Sequence, residues 1–102
     1  MVKLEHEPEN MDEVRAEIDR LDRALVKLLA ERQRYIEAAG RIKSDRDTVR
    51  DEERIRDVLL KVTAESVDRG LNPDVAVKVW RAMMEGFIAY EFEVWDRHQG
   101  QQ

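Results

Sequence analysis

An arginine occupies a position of the sequence where an apolar residue is expected. Apolar positions recur at alternating intervals of four and three between residues 14 and 42, and Arg32 falls on this series between Leu28 and Tyr35. An unpaired charge at a helical interface is very costly, so such a side chain needs an anionic partner. Lys43 follows at about 20° around the same helix and about 16 Å further along it. The two cations could hold a small dianion between them. The alternatives for Arg32 are an intramolecular ion pair and a guanidinium that reaches solvent.

A carboxyl group occupies a similar position in the last third of the chain. Glu91 falls within a stripe of apolar side chains at helical spacing, formed by Trp80, Met84, Phe87, Ile88 and Trp95. Removal from water disfavours the charged form of a carboxyl group, and groups perturbed in this way concentrate at active sites. Glu91 is therefore a candidate for a protonated group that donates a hydrogen bond to a ligand. The alternative is a buried ion pair with Arg32 or Lys43.

Arg15 is a third cation of interest, and geometry limits what it can do. It precedes Arg32 by 17 residues, which corresponds to about 25 Å along one helix and exceeds the reach of any arginine side chain. If Arg15 contributes to the same pocket, it must come from a second subunit whose first helix runs antiparallel.

The element that must position Arg32 and Lys43 is one long helix. Asn10 is suited to be its N-cap, with Glu13 as the reciprocal partner of a capping box. The heptad pattern that follows predicts a helix from about residue 11 to about residue 44. Such a helix is about 50 Å long, more than one small globule can cover, so a partner chain is expected.

Two further helices are predicted after a polar loop at residues 44–48. The second begins near Arg50 and ends at Gly70, which suits the left-handed position that terminates many helices. The third begins at Asn72 and Pro73, a favourable N-cap and first residue, and runs to about residue 97. We expect one domain over residues 11–98, with flexible tails at 1–10 and 99–102.

Length and composition favour a single all-α domain. The chain has 102 residues, of which 40% are charged and 42% hydrophobic, a mixture typical of long helices. The net charge of −5 argues against nucleic-acid binding, and the absence of cysteine excludes disulfides and thiolate metal sites. No apolar run approaches the roughly 20 residues that span a bilayer. We expect a soluble cytoplasmic protein without nucleic-acid or membrane partners.

Over residues 11–97 the sequence resembles the AroQ-type, all-helical chorismate mutases. The parts that carry the resemblance are 14–22, 28–32, Lys43, 49–54 and Glu91. The most specific element is the spacing of Arg15, Arg32 and Lys43. The resemblance implies a long first helix and two shorter helices in an intertwined homodimer. It also implies conversion of chorismate to prephenate, a reaction that needs no metal or cofactor.

The resemblance further implies a role for each residue of the pocket. Arg32 would hold one substrate carboxylate, and Arg15 of the partner subunit would hold the other. Lys43 would donate to the ether oxygen of the breaking bond and help to hold a carboxylate. Glu91 would contact the same oxygen and can donate to it only when protonated, so activity is expected to fall as Glu91 ionises.

Other positions in the pocket leave two alternatives open. Arg54 would add positive charge, and the backbone around Asp51 would meet the substrate hydroxyl. Ile55 and Phe87 are more similar to isochorismate pyruvate lyases, which form salicylate, whereas Glu91 is more similar to the mutases. A non-catalytic dimeric helical module would explain the heptads but not the charges within apolar stripes. The predicted site residues are Arg15, Arg32, Lys43, Asp51, Arg54, Ile55, Phe87 and Glu91.

Overall fold

Three α-helices make up most of the chain, and the computed structural model describes residues 3–100. Helix α1 spans Met11–Ile42, α2 spans Glu52–Arg69 and α3 spans Pro73–Gly100, with a short 3₁₀ turn at Arg46–Thr48. No strand occurs within residues 3–100. The prediction of an all-α fold with one long and two shorter helices is confirmed.

Helix α1 begins where the sequence predicted, with one change in its cap. The side chain of Asn10 accepts a hydrogen bond from the backbone N–H of Glu13 at 2.9 Å. The Glu13 carboxylate accepts from the backbone N–H of Glu9 at 2.8 Å, not from that of Asn10. The reciprocal half of the predicted capping box is therefore shifted by one residue, to the residue before the N-cap, and the side chain of Asn10 still satisfies the first turn.

The other helix ends also follow local sequence signals. Asp51 caps α2, which begins at Glu52, close to the predicted start near Arg50. Gly70 ends α2 with a φ of 74°, a left-handed conformation that glycine adopts without steric cost. Asn72 accepts from the backbone N–H of Asp74 at 2.9 Å and thereby starts α3, as predicted.

The ends of the chain differ in part from the predicted tails. Helix α3 continues to Gly100, so residues 99 and 100 are helical and do not belong to a tail. Residues 1–2 and 101–102 of the predicted tails lie outside the described part of the chain.

Helix α3 is the central element of the fold, because it packs on both α1 and α2, whereas α1 and α2 have little contact with each other. A close approach between α1 and α3 occurs at the buried residue Gly40. A Cβ atom added there would lie 2.9 Å from Val94 Cγ1 and 3.3 Å from the carbonyl oxygen of Glu91. The absence of a side chain at Gly40 thus brings the end of α1 directly against the turn of α3 that carries Glu91.

Four consecutive heptad residues of α1, from Ile18 to Leu28, are left about half exposed by the other residues within 3–100. Leu25 is 55% exposed and Leu28 60% exposed, and Ile18 and Leu21 are similarly open to solvent. The radius of gyration is 17.3 Å, whereas a compact domain of this length has about 13 Å. None of the helices within residues 3–100 is long and apolar enough to span a membrane.

Candidate active site

A cavity of about 360 Å³ lies between the C-terminal half of α1, the start of α2 and the second half of α3. Seven of the eight predicted site residues line it, all except Arg15. Apolar side chains that were not among the predicted site residues complete the wall, namely Ile36, Ala39, Val49, Val58, Met84 and Ile88. The cavity falls in the size range of small-molecule sites and combines an apolar wall with a few charged groups, as such sites usually do.

Arg32 is held in this cavity with its charge uncompensated. Its Nη1 atom is buried and has no hydrogen-bond acceptor within residues 3–100. Its guanidinium lies 5.2 Å from the centroid of the Phe87 ring, which favours the cation. Burial lowers the pKa of Arg32, and the nearby charge of Arg54 lowers it further. An arginine stays protonated under these conditions, so a partly buried positive charge faces the cavity without an anionic partner within residues 3–100.

Lys43 and Glu91 form an ion pair across the α1–α3 interface. The ammonium of Lys43 lies 2.7 Å from Oε2 of Glu91. The Glu91 side chain is only 6% exposed, and that of Lys43 is 29% exposed. Lys43 also donates to the backbone carbonyl of Val49 at 3.3 Å. The buried ion pair considered for Glu91 is therefore present, and its partner is Lys43, not Arg32.

Trp95 binds the main chain of the same lysine. Its indole Nε1 donates to the carbonyl oxygen of Lys43 at 3.0 Å. Lys43 is the C-cap of α1, and its own N–H donates to the carbonyl of Ala39 at 3.0 Å. The sequence placed Trp95 only in an apolar stripe. Its position four residues after Glu91, on the same face of α3, is the signal that could have linked it to the site.

The first turn of α2 forms another wall of the cavity. The carboxylate of Asp51 accepts from the backbone N–H of Arg54 at 3.1 Å, which fixes the start of the helix. The guanidinium of Arg54 pairs with Asp57 at 2.6 Å and is largely exposed. Arg54 therefore contributes charge at the rim of the cavity, and Ile55 contributes a partly buried apolar side chain.

Two arginines in the connection between α1 and α2 hold it against α3. The guanidinium of Arg46 binds Asp96 at 3.0 and 3.3 Å and stacks over Phe92 at 4.5 Å. The guanidinium of Arg50 binds both carboxylate oxygens of Glu85, at 2.7 and 2.9 Å. These contacts join residues far apart in the sequence, and sequence analysis missed them. They fix the segment that presents Val49 and Asp51 to the cavity.

Arg15 lies on the exposed first half of α1 and is absent from the lining of the cavity. Of the eight predicted site residues, Arg15 is the one that does not lie with the others in a single chain. Its assignment to the pocket of a second subunit stays a prediction.

A family model for chorismate mutase type II matches residues 14–92, well over half of the chain. The matched range includes every residue that lines the cavity, and Arg15 as well. No curated protein gives a significant match.

Methionine at each of the two cationic positions should have opposite effects on stability. Arg32→Met removes an uncompensated buried charge and keeps the aliphatic bulk, so the free energy of unfolding should be unchanged or higher. Lys43→Met leaves Glu91 buried without a partner, so a loss of about 3 kcal/mol is expected near neutral pH.

Urea denaturation at equal protein concentration measures both variants. A loss in Arg32→Met as large as that in Lys43→Met would show that Arg32 is compensated within the folded protein.

Proposed function

Since the chain belongs to the chorismate mutase type II family, we propose that the cavity between its helices is the active site in which chorismate rearranges to prephenate. This reaction is a step towards phenylalanine and tyrosine. The observation that carries the assignment is the buried, unpartnered Nη1 of Arg32 in a cavity that also holds Lys43 and Glu91. A dianionic substrate supplies the counter-charge that the folded chain itself lacks.

The chemistry of this rearrangement suits a site without a nucleophile. The bond to the ether oxygen breaks as a carbon–carbon bond forms in one concerted step, so no covalent intermediate with the protein is required. The protein must hold the substrate in its compact reactive conformer, which is catalysis by orientation. It must also stabilise the negative charge that develops on the ether oxygen, for which fixed hydrogen-bond donors are suited.

The two cations on α1 divide these tasks. Arg32 presents a planar guanidinium, which matches the geometry of a carboxylate. The Lys43 ammonium has three donors, and the carboxylate of Glu91 and the carbonyl of Val49 accept two of them. The third donor remains available for the ether oxygen. Lys43 can therefore act without losing the contacts that hold it in place.

Glu91 has a double role in this proposal. As a carboxylate it holds the Lys43 ammonium at 2.7 Å and offsets its charge. To contact the ether oxygen it must first take up a proton, because a carboxylate can only accept hydrogen bonds.

The remaining lining residues shape and enclose the site. Arg54 adds positive charge at the rim, and the backbone at Asp51 is placed to meet the substrate hydroxyl. Ile55 and Phe87 supply apolar surface, which excludes water and strengthens the electrostatic contacts of the cations.

A homodimer completes the site in this proposal. The exposed heptad residues of α1 form an apolar seam that a second copy of the helix can cover, with Leu25 and Leu28 near its middle. In an antiparallel pair of first helices, Arg15 of the partner subunit reaches the region of Arg32. It would then bind the second carboxylate of chorismate.

The direct test is turnover of chorismate by the purified protein. Prephenate is expected as the product, with no pyruvate or salicylate from isochorismate. Arg32→Met should lower kcat/KM for chorismate by about 100-fold or more, because one carboxylate loses its partner. Pyruvate release from isochorismate, or a parent protein inactive on both compounds, would overturn the assignment.

The proposed donor role of Glu91 can be tested by substitution. Glu91→Gln carries an amide donor at the same position, so its kcat should stay within about tenfold of the parent's. Glu91→Leu carries no donor, so its kcat should fall by about 100-fold or more. Rates of prephenate formation at one pH make the comparison. Equal losses in the two variants would exclude a donor role for Glu91.

The borrowed Arg15 can be tested by mixing two variants that each retain only residual activity as homodimers. In a dimer of Arg15→Ala with Lys43→Met, one pocket has its own Lys43 and the intact arginine of the partner. Equal amounts that exchange subunits at random should recover about one quarter of the parent's activity. No recovery despite verified exchange would place Arg15 outside the partner's pocket.

A further inference from the structure

Trp95 contacts the site without lining its cavity. Its partly buried indole donates to the carbonyl oxygen of Lys43 at 3.0 Å. Lys43 is where α1 ends, and its backbone has left the helical conformation, with a ψ of 130°. The last carbonyl groups of a helix find no N–H donor within that helix. The indole therefore supplies a donor that the helix cannot, at the residue that carries the ammonium.

Helix α3 therefore contacts Lys43 both at its backbone and at the end of its side chain. Glu91 and Trp95 are four residues apart and lie on one face of α3, about 6 Å from each other along the axis. Glu91 binds the ammonium of Lys43 at 2.7 Å, and Trp95 binds its carbonyl at 3.0 Å. The side chain of Lys43 is therefore restrained both at its backbone and at its ammonium group.

We propose that Trp95 is a positioning residue for the rearrangement, which directs the ammonium of Lys43 at the ether oxygen by fixing the backbone of that lysine. The inference rests on the proposed catalytic role of Lys43. A displacement of about 1 Å in a catalytic group can lower a rate by about 100-fold. Arg32 holds its substrate carboxylate independently of Trp95, so the loss should affect kcat more than KM.

Trp95→Phe tests the proposal, because it removes the donor and keeps an aromatic ring. We expect kcat to fall about tenfold while KM changes by less than about twofold. Trp80→Phe is the matched control, since the indole of Trp80 makes no hydrogen bond within residues 3–100 and does not line the cavity. Its kcat should equal that of the parent.

A double-mutant cycle separates positioning from a general loss of structure. In the Lys43→Met background there is no ammonium to direct, so Trp95→Phe should cause no further fall in kcat. An equal fall in both backgrounds would show that Trp95 acts on the fold and not through Lys43.

A second variant guards against a packing defect in Trp95→Phe. The chain is short enough for chemical synthesis, which allows a benzothienyl alanine at position 95 that keeps the indole shape and replaces its N–H with sulfur. The same tenfold fall is expected, and an unchanged kcat would overturn the proposal. Full activity of Lys43→Met would instead show that the proposed role of Lys43 is wrong, which separates the two failures.

Discussion

The ion pair between Lys43 and Glu91 joins the two helices that form most of the cavity. Taking a carboxylate out of water costs several kcal/mol unless a close partner and further hydrogen bonds repay it. Here the partner lies 2.7 Å away, and that distance requires α1 to end close against α3. The glycine at position 40 and the indole of Trp95 both serve this approach. Much of the local structure therefore serves to bring Lys43 and Glu91 into contact.

Arg32 lines the same cavity but, unlike Lys43, has no carboxylate partner within residues 3–100. Its guanidinium lies beside Phe87 with Nη1 buried, and no carboxylate of the described chain neutralises it. A sequence selected for stability alone would place an apolar residue on this heptad position. The folded chain instead keeps a positive charge without a carboxylate partner among residues 3–100. The charges of Lys43 and Glu91 offset each other, so the unpaired charge of Arg32 is what favours an anion in the cavity.

The features that could be predicted from the sequence are those that depend on a single helix. The misfit of Arg32 in the heptad seam, its alignment with Lys43 and the place of Glu91 in an apolar stripe all depend on helical periodicity, which is local. The caps at Asn72 and Gly70 were predicted for the same reason.

The contacts that sequence analysis missed join distant parts of the chain. Arg46 binds Asp96 and Trp95 binds Lys43, and no local pattern shows how far the helices slide past one another before they pack. The position of Arg15 relative to the pocket has a further requirement, because it depends on a second molecule.

Gly40 has no functional group, yet it sets the spacing on which the functional groups depend. Its hydrogen atom leaves room for Val94 and for the carbonyl of Glu91. A search for important residues by chemical reactivity would pass over it, and a comparison of helix propensities would mark it as a defect. A side chain at Gly40 would therefore disturb the site, although Gly40 does not line its cavity. Altering the catalytic groups would change what the site does, whereas altering Gly40 would change whether those groups can meet.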